Sequence, residues 1–369
     1  MEFTNGFPDM TVGLDLGDRS SVYCSVDWAG KLSEPAEVKT CATDIQALFS
    51  EMKPSRVVLE CGTHSSWVSQ LLESCGHEVI VASTRELFPK NRRKSDKLDA
   101  ERLARKGRSD PQELQPIKHR SAKAQQELAL IRARQTLVKV RSTLINHVRG
   151  SVKAQGSRIK SSAAESFTTK AAESLSEPLA VALKPILQSI DQVTRQIRQY
   201  DKRLKAACKR HPETERLSQV TGVGPVTSLT YALVIDDPKR FKKSRTVGAY
   251  LGLTPRLWES GDSQPQLRIS KAGDALLRSL LVSCAHYILG HRGPDCDLRR
   301  HGEKLCARGG KNAKKRAVVA VARKLAVLLH RLWVSGAPYK ALMRPSGDSP
   351  GGGRMKLKSC RPEKEEARA

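Results

Sequence analysis

The chain of 369 residues carries 65 Lys and Arg against 38 Asp and Glu, a net charge of +27, and only 4% of its residues are aromatic. Its length predicts two or three domains, its charge indicates a polyanionic partner, and its few aromatic residues argue against base stacking as the main mode of binding. The sequence shows no secretory signal and no apolar run of about 18 residues. We therefore expect a cytoplasmic protein that is associated with the nucleoid and independent of membranes.

Strand and helix patterns alternate over the first hundred residues. The patterns predict strands at 11–17, 21–28 and 37–40, a helix at 43–52, a strand at 57–60, a helix at 65–75, a strand at 78–82, and a helix capped by Ser95 that runs to residue 106. Alternating strands and helices predict an α/β layer with parallel strands, and the opening hairpin makes the sheet mixed. The order β-β-β-α-β-α-β-α matches the ribonuclease-H-like fold, including its Holliday-junction-resolvase branch.

Four carboxylates fall on these elements. Asp15 lies on the first strand, Glu60 ends the fourth, and Asp96 and Asp99 lie three residues apart on one face of the last helix. Clustered acids repel one another unless cations bind between them, and Mg²⁺ prefers hard oxygen ligands of this kind. The four acids therefore predict a Mg²⁺ site that cleaves phosphodiesters. The alternative is a set of ordinary surface acids, some of them paired with neighbouring Lys and Arg residues.

Residues 121–210 are rich in Ala, Lys, Arg, Gln and Leu and predict two long helices. In the first helix Leu130, Leu137 and Leu144 repeat every seven residues; the second carries apolar residues at two heptad positions, namely Leu183, Ile190, Ile197 and Leu204, with Ile186, Val193 and Tyr200. This spacing predicts a coiled coil, either as an antiparallel pair or as a dimerising stalk. A plain helical linker is the alternative. The small, polar residues at 150–176 predict a turn or loop between the helices.

The remaining sequence contains two candidate phosphate-binding features. Residues 220–225 read Val-Thr-Gly-Val-Gly-Pro before an apolar helix, so Gly222 and Gly224 predict the turn of a helix-hairpin-helix, which offers backbone N–H groups to a phosphate. Further along, Lys311, Lys314 and Lys315 form a basic entry to an apolar-faced helix at 318–334. Lys and Arg residues at 85–120 and 304–324 are candidate RNA contacts, each of them more typical of a general phosphate contact than of a specific one.

A polar loop at 259–265 contains Ser260. No His lies near it in sequence and no Gly-x-Ser-x-Gly motif is present, so these residues by themselves favour an ordinary loop serine. A metal ion, or the flanking Arg256 and Arg268, would have to activate it as a nucleophile.

Several short motifs nevertheless resemble one family in both content and order. They are Gly-Leu-Asp-Leu-Gly, Leu-Glu-Cys-Gly-Thr, Lys-Ser-Asp-Lys-Leu-Asp-Ala, Val-Thr-Gly-Val-Gly-Pro, Tyr-Leu-Gly-Leu-Thr-Pro-Arg, Glu-Ser-Gly and Ile-Ser-Lys-Ala-Gly. Between residues 11 and 340 this series resembles the bacterial insertion-sequence transposases of the one-ten group, which are DEDD-type recombinases guided by a bridge RNA. No single motif is unique to that family, but their combination is specific.

The resemblance implies a division of labour along the chain. It implies that Asp15, Glu60, Asp96 and Asp99 bind the metal, and that Ser260 is the nucleophile that forms a 5′-phosphoserine link to DNA. It further implies a composite site that joins the metal domain of one subunit to the serine domain of another. The implied partners are donor and target DNA and a non-coding bridge RNA, and the implied assembly is a homo-oligomer, a dimer of dimers.

On this basis we expect four regions. They are a resolvase-like domain at 1–115, a helical coiled-coil linker or dimerisation region at 116–211, a mainly helical transposase domain at 212–345, and a disordered tail at 346–369. Two other functions remain open. A Holliday-junction-type metal nuclease would use the four acids and leave Ser260 idle, and a non-catalytic nucleic-acid-binding scaffold would use neither.

Overall fold

A computed structural model describes residues 9–83, 95–261, 263–265 and 267–342. The predicted disordered tail from 346 and the part of the basic stretch at 85–94 lie outside these residues. The chain divides into two compact units, Met1–His119 and Arg120–Ala369. No helix among the described residues is long and apolar enough to span a membrane.

The first unit is a mixed α/β layer. Its elements are β1 (Met10–Asp15), β2 (Ser20–Asp27), β3 (Ala36–Lys39), α1 (Ala42–Glu51), β4 (Arg56–Glu60), α2 (Ser65–Ser74), β5 (Glu78–Ala82) and α3 (Asp96–Ser109). The predicted element order is confirmed, and each predicted strand overlaps an observed one. Ser95 does occupy the N-cap position of α3, but its side chain makes no capping hydrogen bond.

The strands form one five-stranded sheet in the order β3-β2-β1-β4-β5. β1 pairs antiparallel with β2 and parallel with β4, and β4 pairs parallel with β5, so the sheet is mixed as predicted. This arrangement is consistent with a ribonuclease-H-like fold.

Helices cover both faces of this sheet. Val12, Leu14, Val57 and Leu59 pack with the buried side chains of α1 and α2, which are Ile45, Phe49, Val68 and Leu72. Val58, the intervening residue of β4, packs on the opposite face with Leu103 of α3. Because successive side chains of a strand point to opposite faces, a strand with helices on both sides must be apolar in its middle, as β4 is at Val57, Val58 and Leu59.

The second unit is helical. Its helices are α4 (Ala122–Ala154), α5 (Phe167–Ala172), α6 (Glu177–Cys208), α7 (Glu213–Ser218), α8 (Pro225–Ile235), α9 (Val247–Tyr250), α10 (Ala275–Leu289), α11 (Asp297–Ala307) and α12 (Ala313–Ser335). All nine residues from 227 to 235 in α8 are buried, and this helix contributes to a core shared with α4, α10 and α12. An apolar helix with no polar face is the sequence signature of such a central position.

The two long helices, α4 and α6, form an antiparallel pair. Leu128 near the start of α4 shares a core with Leu204 near the end of α6, whereas Val148 near the end of α4 packs with Leu183 near the start of α6. The predicted heptad position of α6 that contains Leu183 is buried along the helix. Pro178 lies at its first turn, where proline is tolerated, and Pro185 lies within it.

Two details of the predicted pair are wrong. The buried stripe of α4 runs through Leu128, Ile131, Ile145 and Val148, whereas the Leu130 series is only half-buried. The reason is that the start of α4 must also bury a side against α8, so two partners fix its rotation. The stretch 150–176 is also not a plain loop, because α4 continues to Ala154 and α5 packs its Phe167 beneath the pair.

Candidate functional site

Two of the four acids lie at the carboxyl end of the parallel strands. Asp15 is the last residue of β1 and Glu60 is the last residue of β4. The parallel register pairs Leu14 with Leu59, so Asp15 and Glu60 follow at the next position of neighbouring strands. Both side chains are half-buried. The carboxyl ends of parallel strands are where ligands bind in open α/β sheets.

The other two acids lie on the helix that packs across β1. Asp96 and Asp99 occupy the first turn of α3, with Asp96 exposed and Asp99 half-buried. Gly13 allows this helix to approach closely, since a Cβ there would overlap the carbonyl oxygen of Ala100. The first turn of α3 is therefore held against the strand that ends in Asp15. The N-terminus of a helix also stabilises negative charge, which favours acids at this position even without a metal.

The four acids suit a divalent cation in kind, because all of them offer hard carboxylate oxygens. Their side chains do not converge: among the described residues no group of three or more His, Cys, Asp or Glu is placed to hold a metal ion. Asp99 instead accepts a hydrogen bond of 3.1 Å from Arg102 of the same helix. The structure thus brings the acids to one edge of the sheet without gathering them into a coordination shell.

Ser260 lies near the tip of a two-stranded arm, which comprises residues 252–261, 263–265 and 267–271. The arm is built from backbone hydrogen bonds, including those from Arg256 N to Arg268 O (3.0 Å) and between Ser260 and Ser263 in both directions (3.2 and 3.0 Å). Isolated β-bridges link Pro255 with Ile269 and Ser260 with Ser263. Ser260 is exposed.

The base of the arm is fixed to the helical core. Gly252 has a φ of +64°, and a Cβ there would overlap the backbone of Ala272. Arg278 of α10 donates hydrogen bonds to the carbonyl oxygens of Leu251 (3.0 Å) and Ala272 (2.6 Å). The arm is therefore a firmly anchored projection rather than a loose loop.

The tip of the arm is exposed and apolar beside the serine. Leu257 is 80% exposed and Trp258 is 68% exposed. Within the described part of the chain no side chain hydrogen-bonds to the Ser260 hydroxyl, and Arg256 and Arg268 are both exposed. Large exposed apolar side chains at a projecting tip are typical of a surface that meets a partner.

The predicted hairpin turn lies between α7 and α8. Gly222 has a φ of +81° and packs towards Tyr287 and Cys284 of α10, while Gly224 is the N-cap of α8. Packing against α10 therefore accounts for Gly222. Pro225 follows at the first turn of α8 and removes one N–H donor from that helix end.

The basic entry predicted at Lys311 leads into α12, which begins earlier than expected, at Ala313. Lys311, Lys314 and Lys315 are all exposed. Lys315 also lines a broad cavity of about 1180 Å³ that runs along α12 and reaches the base of the serine arm at Pro255 and Arg268.

Comparison with known proteins identifies the family of this chain. Residues 12–154 match the DEDD transposase model of the IS110 type, and residues 214–299 match the model described as "Transposase IS116/IS110/IS902 family". The chain belongs to the IS110/IS116 family of transposases. It is thus an enzyme that cleaves and rejoins DNA, and its DEDD domain implies a requirement for a divalent metal.

Relatives of this transposase cover most of its length. It is 28% identical over 340 residues to "Transposase for insertion sequence element IS1111A" of Coxiella burnetii, covering 89% of this chain and 91% of that protein. It is 29% identical over 312 residues to "Putative transposase y4pF/y4sB" of Sinorhizobium fredii, covering 82% and 79%. It is 26% identical over 287 residues to "Probable family 20 transposase" of Pseudomonas aeruginosa, covering 75% and 83%.

Sequence reasoning missed part of the transposase's basic surface. Arg245 and Arg331 line the cavity along α12 but lie outside the predicted basic stretches, and α11 was not predicted at all. The repeat of cationic and apolar pairs within α12 could have indicated this basic surface. The sequence prediction treated α12 only as an apolar-faced helix and did not use that repeat.

Proposed function

We propose that this transposase is an RNA-guided recombinase that excises and inserts an insertion sequence by serine attack on DNA. Asp15, Glu60, Asp96 and Asp99 hold Mg²⁺, and Ser260 is the nucleophile. The observation that supports the metal assignment is that Asp15 and Glu60 end neighbouring parallel strands, while α3, whose first turn carries Asp96 and Asp99, packs closely against β1. A bound divalent cation would stabilise negative charge on the transferring phosphoryl group.

The residues of the chain permit a balanced strand-transfer reaction. The Oγ of Ser260 forms a bond to the phosphorus, the bond from phosphorus to the 3′ oxygen breaks, and the departing 3′ oxygen takes up the proton that the serine loses. A 5′-phosphoserine ester and a free 3′-hydroxyl result. In rejoining, a 3′-hydroxyl attacks the ester and returns the proton to Ser260. The exposed tip of the arm supports this role because it can reach a DNA backbone.

The partners follow from charge and from the family. Donor DNA, target DNA and a bridge RNA are polyanions, and the net charge of +27 suits all three. The proposed phosphate contacts are the backbone at Gly222 and Gly224, Arg256 and Arg268 on the arm, and Lys311, Lys314 and Lys315 at the start of α12. The antiparallel pair of α4 and α6 supports assembly into a dimer of dimers.

Cleavage of a labelled DNA that carries the element end, with the guide RNA and Mg²⁺ present, tests the catalytic assignment. Ser260→Ala should abolish both strand exchange and the covalent protein–DNA adduct seen on denaturing gels, whereas Ser263→Ala, the matched serine across the turn, should keep both. If Ser260→Ala still cuts DNA, the protein acts as a metal nuclease. If Asp15→Asn retains full recombination, the metal assignment fails.

Mixing two inactive variants tests the composite site. A mixture of Asp15→Asn and Ser260→Ala subunits should regain measurable recombination if the acids and the serine of one reaction come from different subunits. Activity that stays at background in the mixture, while each variant still assembles with wild-type protein, would assign both to the same subunit.

A further inference from the structure

We propose that the groove along α12 is a binding site for a single nucleic-acid strand, with the phosphates on its basic rim and the bases on its apolar floor. This deepens the proposed function by naming the form of nucleic acid that the helical unit holds next to the serine arm. The site belongs to the second unit alone.

The charge of the groove is the first observation. Among its described lining residues, nine are Lys or Arg and one, Asp297, is acidic. No acidic side chain in the described part of the chain forms an ion pair with Arg245, Lys315, Lys324 or Arg331. Like charges that crowd a concave surface repel one another and destabilise the fold. A bound polyanion would reduce this repulsion.

The order of side chains along α12 is the second observation. The groove-facing positions alternate between cationic pairs, Lys315 with Arg316 and Arg323 with Lys324, and apolar pairs at 319–320 and 327–328, before Arg331 closes the series. Successive cationic positions are eight residues apart, which is about 12 Å along a helix. The basic run therefore extends for about 24 Å, enough for several phosphates of one strand.

The apolar floor distinguishes a strand from a duplex. Val319, Val327 and Leu328 are only half-buried, and Tyr339 lies beside them. A duplex presents phosphates outwards and keeps its bases stacked inside, so a concave apolar floor gains nothing from it. A single strand offers unstacked bases to such a floor while its phosphates meet the rim.

Neighbouring elements hold the cations of the rim in place. His330 of α12 donates through Nε2 to the carbonyl oxygen of Pro238 and accepts at Nδ1 from the Ser244 hydroxyl, both at 2.9 Å. These contacts fix the segment that carries Arg245. On the other side, burial and the cations Lys324, Arg308 and Lys304 hold the pKa of His301 below its ordinary value, which agrees with a positive potential in the groove.

Two other occupants fit less well. A second copy of this chain placed in the groove would leave the nine cations of the groove without counter-charges, because its own surface carries an excess of Lys and Arg. A purely solvated basic surface needs neither a concave shape nor a repeat of apolar pairs. Charge complementarity therefore favours a nucleic-acid strand.

Fluorescence anisotropy of labelled 12-nucleotide oligomers with the full chain, in the presence of a chelator, tests the site. The oligomers are single-stranded DNA, single-stranded RNA of the same sequence, the DNA duplex, and an abasic DNA strand. We expect a single strand to bind more tightly than the duplex and than the abasic strand. Preference for DNA would identify the strand as substrate and preference for RNA would identify it as guide, whereas preference for the duplex, or equal binding of the abasic strand, would overturn the proposal.

The matched variants replace three cations each. The triple variant Lys315→Ala, Lys324→Ala and Arg331→Ala should weaken single-strand binding by about tenfold. It should also make the slope of log K against log salt concentration shallower by about 2, because each lost phosphate contact contributes about 0.7. The control combines Lys184→Ala, Lys202→Ala and Lys205→Ala on exposed positions of α6 and should change neither. Equal losses in both variants would overturn the proposal, and unchanged circular-dichroism melting confirms that both are folded. Because the chelator stops chemistry, this readout is independent of whether Ser260 is the nucleophile.

Discussion

Single side chains set the chemical state of the two proposed catalytic elements, the Ser260 arm and the four acids. The hydroxyl of Ser260 stands at an exposed tip, and within the described residues no base hydrogen-bonds to it. Asp99 accepts a hydrogen bond of 3.1 Å from Arg102. A metal ion bound by Asp99 would compete with Arg102 for this carboxylate, so we expect metal binding to weaken or break the ion pair.

The proposed metal role of Asp99 gives a prediction for one side chain. Asp99→Asn should raise the Mg²⁺ concentration needed for half-maximal DNA cleavage by about tenfold or more, because an amide is a weaker ligand for a hard cation than a carboxylate. A Mg²⁺ titration of cleavage measures it. Asp110→Asn, at the opposite end of the same helix, is the control and should leave the titration unchanged. An unshifted titration for Asp99→Asn would remove it from the ligand set.

At the scale of elements, the close contact between α3 and β1 decides where the acids lie. Gly13 and the small Ala100 permit that contact. In the helical unit, Glu127 of α4 fixes the segment that leads into α7, since it is bound by Arg210 (2.8 Å) and by His211. Both contacts join residues that are far apart in the sequence.

Substitution of Gly13 tests the first contact. Gly13→Ala should lower the free energy of unfolding by about 1–3 kcal/mol, because the added methyl group must push α3 away from β1. Urea denaturation measures it. Gly62→Ala is the matched control, since a Cβ there meets no atom within 4 Å. Equal stability of the two variants would show that α3 does not pack as closely as described.

Glu127 gives a prediction about pH. Burial raises the pKa of Glu127, but hydrogen bonds from Arg210 and His211 outweigh it, and the pKa lies below its ordinary value of 4.5. A lowered pKa stabilises the fold above the ordinary value, and this contribution is lost as the pH falls through the lowered pKa. Glu127→Gln should therefore reduce stability at pH 7 and have a diminishing effect below pH 4.5. Denaturation of both proteins across this range measures it; a difference that does not vary with pH would contradict the assignment.

For the whole molecule, the distribution of charge and of exposed apolar surface indicates where partners bind. The excess of 65 basic over 38 acidic residues is far larger than solubility requires, and the groove along α12 concentrates part of it on one concave surface. The pair of α4 and α6 keeps half-buried apolar residues on its outer side, among them Leu137 and Tyr200. A second copy that covered them would bury apolar surface the monomer leaves partly in water.

Assembly through this outer side is testable. Leu137→Glu combined with Tyr200→Glu should lower the mass of the assembly measured by light scattering, because charges replace apolar contacts between subunits. Val334→Glu, an exposed apolar position at the end of α12, should leave the mass unchanged. A double variant that retains the mass of the wild type would place the interface elsewhere.

Local patterns alone determined the elements of the first unit. Period-two and period-3.6 spacing located the five strands and the helices between them, because side-chain direction in a strand or helix depends only on neighbouring residues. The resemblance of short motifs supplied the family, which the comparisons confirmed. The spacing in α6 likewise predicted its buried side.

Only the tertiary structure decided the features that depend on packing between elements distant in the sequence. The rotation of α4 follows from having both α6 and α8 to pack against. The groove along α12 exists only because a segment near residue 245, the base of the serine arm and one face of a helix meet in space. The sequence contains each cation, but only packing brings them to one surface.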